Sequence, residues 1–328
     1  LIACSLSQAP AGSAIPLADG VSPVADTAVL LSTYDGERFL GAQLDSIATQ
    51  ESVNWRLFWR DDGSEGPTPA LMRAFASTRS ESCIEVDRRG RLGVTQSFLC
   101  LLREAVKDRD IRTFAFADQD DVWLPGKLAR GRAALARVPD QVPALYCARQ
   151  VLVDEQLNRI GASRPLSQPP GFPAAVTQNV ATGCTTMLNR AAAELIAASE
   201  APSATLHDWW CYIVVAAAEG RIIADDAQVI LYRQHARNFV GAPSSLPRRA
   251  LAALRRGPGI FMAVLRQHVA ALEAQPQLLT PATRAQVATI SAALRGGPAR
   301  RLAALTMPGL RRQTWQETLL FRLWFLTG

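Results

Sequence analysis

The chain predicts an α/β fold on a mostly parallel sheet, from three observations: strand-length apolar runs alternate with runs of helical spacing, acidic clusters follow the strand-like runs, and no apolar run exceeds what a core needs. Residues 27–32 (TAVLLS) read as a buried strand, 38–49 place apolar residues at helical spacing, and 55–59 read as a second strand. A helix around 70–77, a short strand at 84–86, a helix at 95–106 and a strand at 113–117 continue the order, which sets helices on both faces of the sheet. Ligands of such sheets meet the carboxyl ends of the strands. Tyr34-Asp35-Gly36, Asp61-Asp62 and the run Asp118 to Asp121 all fall there.

Beyond the acidic run, Leu124-Pro125 opens a helix to about Arg137, proline being tolerated in a first turn. Strand-like pieces at 144–153 and 185–188 bracket a proline-rich loop and point to an antiparallel extension. Helices at 190–199 and 207–218 and strands at 221–224 and 229–232 follow. Ile260, Phe261, Val264, Leu265, Val269 and Leu272 recur at helical spacing, and Thr314 with Glu317 forms a capping box ahead of Leu319, Leu320, Leu323 and Trp324. The organisation expected is a disordered leader over 1–26, rich in Ala, Ser, Pro and Gly, one α/β domain over 27–247, and a helical tail over 248–328. Leu1-Ile2-Ala3-Cys4 has the shape of a lipoprotein cleavage box but lacks the basic and apolar lead ahead of it.

With 328 residues, 48% apolar and 20% charged, the chain can bury a large core, so pervasive disorder is excluded. Six scattered cysteines form no C-x-x-C pair and have no histidine at zinc-ligand spacing, which argues against a disulfide framework and a structural zinc and for a reducing cytoplasm. The longest apolar stretch, 209–218, falls short of the roughly 18 residues of a membrane span. The net charge of +6 is unevenly spread: residues 248–328 carry twelve Arg and no Lys against Glu273 and Glu317, a balance of +10, leaving −4 for the rest.

Three carboxylates within the four positions 118–121 repel one another unless a cation or protons neutralise them, and a hard divalent ion with oxygen ligands is the usual resolution. Asp61-Asp62-Gly63-Ser64 taken alone also suits a plain turn. Asp118-Gln119-Asp120-Asp121-Val122 further fits the D-x-D-x-V of aspartate-nucleophile phosphatases, with Asp118 as nucleophile and Asp225-Asp226 as a second acidic pair for magnesium. That alternative needs a lysine, and of Lys107 and Lys127, the only two, neither is well placed between the two acidic sites. A Rossmann oxidoreductase is disfavoured, because no G-x-G-x-x-G follows the first strand.

Residues 32–40 (STYDGERFL), Arg60 to Ser64, Leu92-Gly93-Val94 with Ser97-Phe98, Asp118 to Trp123 with Pro125 and Leu128, His207 to Trp210, and Tyr232 to His235 with Asn238 and Gly241 together resemble the family 2 glycosyltransferases, in order and spacing, over about residues 27–241. The branch they resemble is the bacterial one of rhamnosyltransferases and polysaccharide-assembly transferases. The resemblance implies a GT-A fold, a nucleotide-diphospho-sugar donor, a Mg or Mn ion, inversion at the anomeric carbon, and a glycan or lipid-linked acceptor. Ser32, Tyr34, Glu37, Asp62 and Asp118 match donor-binding positions, with Asp62 toward the base imide. Asp120 matches the metal ligand of the D-x-D motif, Asp208 the general base, and His235 a position near the metal or diphosphate, although a purely structural histidine remains open there. Asp35 and Arg91 stand where Asn is usual in the family, and Gly66 where Asp is.

The basic tail carries two readings: interfacial helices lying on an anionic membrane at the inner face, or helices packed on the catalytic domain or on a second copy of the chain. Nucleic acid is not expected, since aromatic residues are sparse among the Arg runs.

Overall fold

The structure, a computed structural model, describes residues 25–51, 53–86, 90–235 and 258–328. The expected leader up to residue 24, Asn238 and Gly241, and the tail from 248 to 257 lie outside the described residues.

The first half follows the alternation: β1 (Thr27–Thr33), α1 (Leu40–Ala48), β2 (Trp55–Asp61), α2 (Thr68–Ser77), β3 (Cys83–Glu85), α3 (Val94–Ala105) and β4 (Thr113–Ala117). β1 pairs in parallel with β2 and β4, and β2 with β3. The twofold repeat of a strand sends Ala28 and Leu30 of β1 into one apolar cluster with Phe98, Leu102 and Phe116, and Val29 and Leu31 into another with Leu44, Ile47 and Trp59. A strand buried on both faces has to be apolar throughout, which is why TAVLLS shows no alternation.

The second half adds β5 (Val122–Trp123), α4 (Lys127–Leu135), β6 (Ala144–Val153), β7 (Arg159–Ala162), β8 (Met187–Asn189), α5 (Arg190–Ala197), α6 (His207–Ala217) and β9 (Arg221–Arg233). The nine strands form one sheet in the order β3-β2-β1-β4-β8-β6-β9-β5, with β7 on β6. β8 runs antiparallel between β4 and β6, as an antiparallel extension requires, but β6 and β9 pair in parallel along their whole lengths. The two strands read at 221–224 and 229–232 are one strand whose register shifts near Ala148–Gln150 of β6, so the break in the apolar pattern marks a bulge. Helix α4 starts at Lys127, two residues after Pro125, because Gly126 takes a left-handed φ of 77° and ends the preceding turn.

Among the described residues, four further helices follow: α7 (Gly259–Ala274), α8 (Pro281–Arg295), α9 (Pro298–Ala304) and α10 (Trp315–Thr327). Met262, Leu265, Val269 and Leu272 of α7 and Phe321 and Phe325 of α10 join the apolar cluster that holds Trp210 and Tyr212 of α6. Each such side chain, fully buried, contributes about 1.5–3 kcal/mol. The inner face of the tail therefore packs on the body of the molecule.

Candidate functional site

A cavity of about 1700 Å³ opens at the carboxyl ends of β1, β2 and β4, and Ser32, Tyr34, Glu37, Asp62, Asp118, Asp120, Asp208 and His235 all line it. Residues up to 203 positions apart in the sequence thus meet at one site.

The loop after β1 is fixed by two clasps. Gln119, between the first two aspartates of the acidic run, accepts from the Tyr34 N–H at 2.8 Å and donates to the Tyr34 carbonyl at 2.8 Å. A Cβ on Gly36 would lie 2.2 Å from Gln119 Oε1, so glycine is required for that close approach. Asp35 has a φ of 44°, a conformation that Asp and Asn accept more readily than other side chains, which explains why Asp can stand in the place usual for Asn. Its N–H donates to Ser64 Oγ at 2.8 Å. The Tyr34 ring is half-exposed and carries the Arg91 guanidinium 4.1 Å from its centroid. Glu37 accepts from Thr68 Oγ1 at 2.8 Å, and Thr68 Oγ1 in turn accepts from the Gly36 N–H at 3.0 Å, so the Glu37 carboxylate also braces the loop.

Asp62 is buried and held from several sides. Its Oδ1 accepts from Arg60 at 2.5 Å, Ser97 Oγ at 3.0 Å and the Leu92 N–H at 2.6 Å, while Oδ2 accepts from the Gly93 N–H at 2.8 Å. Burial alone would push this carboxyl up, but Arg60, Leu92, Ser97 and Gly93 together hold it below the usual range. With one hydrogen bond to Oδ2, that oxygen retains acceptor capacity, and Asp62 lines the cavity.

The acidic run behaves oppositely. Asp118, Asp121 and Cys184 bring ligand atoms within 4.8 Å of one another. Asp121 is fully buried; its Oδ1 accepts from the Arg233 N–H at 3.2 Å and its Oδ2 has no hydrogen-bond partner. Burial, then the charges of Asp120 and Asp208, push Asp118 up to about 8, and burial with Asp120 and Asp118 pushes Asp121 well up. Asp120 Oδ2 lies 2.8 Å from His235 Nε2, and the Asp120 carbonyl accepts from Arg233 Nε at 2.8 Å. Crowded carboxylates with an orphaned buried oxygen are the donor set that a hard divalent cation satisfies, so the residues fit such an ion, with the protonated Cys184 thiol the poorest donor of the group.

Lys127 sits behind this corner, buried, its Nζ 3.5 Å from the centroid of the Trp123 ring and without a hydrogen-bond partner. Burial lowers its pKa to about 7, against the pull of Cys184, Asp121 and Asp118. Sequence distance from Asp225 gave no hint of this neighbourhood, and neither Lys127 nor Cys184 was legible as part of the site. Asp225, for its part, is bound by Arg130 Nε at 2.5 Å and Nη2 at 3.0 Å and by the Tyr146 hydroxyl at 2.9 Å, and Arg130 leads the causes that bring its pKa down to about 2.

Asp208 enters from the first turn of α6, where it accepts from the Gly183 N–H at 2.8 Å and from the Trp209 N–H at 2.6 Å. Burial nevertheless raises it to about 6. His207 beside it stacks on Phe98 at 3.9 Å and meets Phe116 edge-on at 4.9 Å; neither ring nitrogen is hydrogen-bonded, and burial lowers it to about 3, which keeps it neutral. The far wall comes from the tail: Gln313, Thr314 and Glu317 line the same cavity. Gln313 is locked by accepting from the Ser167 N–H at 2.9 Å and donating to the Gln168 carbonyl at 3.1 Å.

The sequence model of glycosyl transferase family 2 matches residues 28–194. A dTDP-rhamnosyl transferase, RfbG of Shigella flexneri, is 27% identical over 228 residues, 65% of this chain and 74% of that protein. The UDP-Glc:alpha-D-GlcNAc-diphosphoundecaprenol beta-1,3-glucosyltransferase WfgD of Escherichia coli is 27% identical over 100 residues, only 30% of this chain and 37% of that one. Among solved structures, residues 1–349 of S. aureus TarS, in complex with UDP-GlcNAc, superpose with a TM-score of 0.56 at 15% identity, covering 82% of this chain and 72% of that one. The fold is GT-A. These matches leave the phosphatase alternative for Asp118 without support, as does the engagement of Asp225 by Arg130.

Proposed function

Because this chain belongs to glycosyl transferase family 2, we propose that its cavity performs an inverting, metal-dependent sugar transfer from a nucleotide-diphospho-sugar to a hydroxyl of a glycan or lipid-linked acceptor in surface-polysaccharide assembly. The observation that carries this reading is the presence, in one cavity, of an unsatisfied acidic corner and a buried carboxylate raised to about 6. Asp118 and Asp121, whose ligand atoms converge, with Asp120 of the same run lining the cavity, would hold Mg or Mn, which supplies Lewis acidity toward a departing diphosphate. His235 steadies Asp120, and Arg233 fixes the backbone of the same turn.

Asp208 receives the proton of the acceptor hydroxyl as its oxygen bonds to the anomeric carbon and the bond from that carbon to the diphosphate oxygen breaks. A carboxylate near 6 is a stronger base than an exposed one yet ionised at neutral pH. Tyr34 offers its face to a nucleobase, with Ser32 beside it, and Asp62 Oδ2 accepts a base N–H. Likeness to a dTDP-rhamnosyl transferase makes dTDP-rhamnose the first donor to test. No described helix is long and apolar enough to cross a membrane, and a lipid-linked acceptor would be met by a cytoplasmic protein resting on the inner face of the bilayer.

Thermal stabilisation by a panel of dTDP-, UDP- and GDP-sugars with Mg or Mn tests the donor half, since a ligand bound only by the folded state raises stability logarithmically with its concentration over Kd. One nucleotide series is expected to stabilise in a manner dependent on the ion. Absence of any shift across the panel overturns the reading.

A further inference from the structure

Helix α10 is apolar on two sides and buries only one. Phe321, Trp324 and Phe325 enter the core, whereas Trp315, Leu319 and Leu323 are 73%, 62% and 51% exposed. Spaced four residues apart, those three form a single stripe along the outside of the helix. A helix apolar all round is ordinarily buried all round, so this stripe calls for a partner. Next to it opens a second cleft of about 380 Å³, lined among others by Arg311, Arg312, Arg322, Trp315 and Leu319. Gln313 and Thr314 line both this cleft and the main cavity, so the two adjoin. Arg311 and Arg322 are exposed.

We propose that this outer face of α10 is the surface by which the protein docks on an anionic lipid bilayer, with Trp315, Leu319 and Leu323 entering the headgroup boundary and the arginines of the cleft taking lipid phosphates. Charge complementarity selects this occupant: apolar and aromatic residues edged by guanidinium groups suit a negatively charged interface, and a tail with twelve Arg and two acidic residues would repel a second copy of itself. The face that docks is not that of α7, whose Met262, Leu265, Val269 and Leu272 are committed to the core. This deepens the membrane-side reading given above by naming the surface and its partner, and places the main cavity next to the bilayer, where a lipid-linked hydroxyl would arrive. It does not depend on donor identity or on the role of Asp208.

The test is flotation of the full chain with vesicles of phosphatidylglycerol and phosphatidylcholine, against phosphatidylcholine alone, at about 0.1 M salt. Flotation is expected with the anionic vesicles only, falling as salt rises. Arg311→Glu with Arg322→Glu should weaken partitioning at least about 25-fold, since each basic side chain near the surface is worth about fivefold. Trp315→Ser should weaken it further, with donor-induced thermal stabilisation unchanged in every variant. Should the combined variant melt early, Arg311→Glu alone, an exposed side chain outside the core, carries the comparison. Equal flotation of parent and variants overturns the proposal, as does a lipid-free parent that is dimeric through this face, with Trp315→Ser monomeric. Lost donor stabilisation in the parent would instead strike the transferase reading and leave the docking result standing.

Discussion

Two acidic corners face each other across the cavity, one finished by the chain and one left open. At the end of β2, Asp62 is answered by Arg60, Ser97 and two backbone N–H groups, and its carboxyl stays ionised well into acid. At the end of β4, Asp118 and Asp121 crowd Asp120, Asp121 Oδ2 is without a hydrogen-bond partner, and the pKa values of Asp118 and Asp121 rise. Asp62 and Asp121 are both buried, at the ends of strands of one sheet, so depth does not separate those two. What differs is whether the protein supplies the counter-charge within bonding distance. Lys127, a buried cation behind the open corner, holds its Nζ 3.5 Å from the centroid of the Trp123 ring and makes no hydrogen bond, while Arg233 Nε binds the Asp120 carbonyl rather than a carboxylate.

The sharpest way to break this contrast is Asp120→Asn. If the open corner holds the ion, transfer should fall by at least about a thousandfold, and ion-dependent nucleotide binding should weaken in the same variant, read by turnover and by thermal shift. Next comes Asp208→Asn, expected to cost about a hundred- to ten-thousandfold in kcat while donor affinity stays within about twofold. In the parent, kcat/KM should fall as pH drops below about 6, because Asp208 acts only when deprotonated. Full turnover by Asp208→Asn would remove its assignment as the base.

The finished corner predicts a different injury. Asp62→Asn leaves the fully buried Arg60 without its counter-charge and should destabilise the fold by about 3 kcal/mol in chemical denaturation. If it unfolds like the parent and loses only nucleotide binding, Asp62 belongs to the ligand and the contrast fails. A last effect concerns pH. Asp118 sits near 8 in the fold against about 4 in an unfolded chain, so the folded protein retains a proton the unfolded chain gives up between those values. Stability present below about 4 is therefore lost as pH rises toward 8. In EDTA the melting temperature should drop by several degrees between pH 5 and pH 8; with Mn the slope should flatten.

The alternating first half was legible because its signals are local: TAVLLS and TFAFA are short, apolar and bounded by turn residues. So too was the acidic run, whose residue types carry their chemistry openly, whereas Asp208 was singled out only through its match to the family's motif. What escaped depends on distant packing. β6 and β9 pair in parallel although nearly eighty residues separate the pairing partners that align them, and a bulge in β9 splits one strand into two apparent ones. Lys127 looked like an ordinary first-turn residue of a helix, since nothing in its neighbours says that Trp123, Asp121 and Cys184 will enclose it. Gln313, Thr314 and Glu317 gave only a capping signal, which Thr314 honours by accepting from the Glu317 N–H at 3.2 Å, and their place in the cavity wall required the tail to fold back on the body.

That wall has a consequence for how the protein comes into being. The loops after β1 and β4 leave the ribosome early, whereas the segment bearing Gln313 is translated almost three hundred residues after β1. During synthesis the pocket is thus completed long after its acidic residues have emerged, and a nascent chain halted before α10 would display a cleft without the wall of Gln313, Thr314 and Glu317.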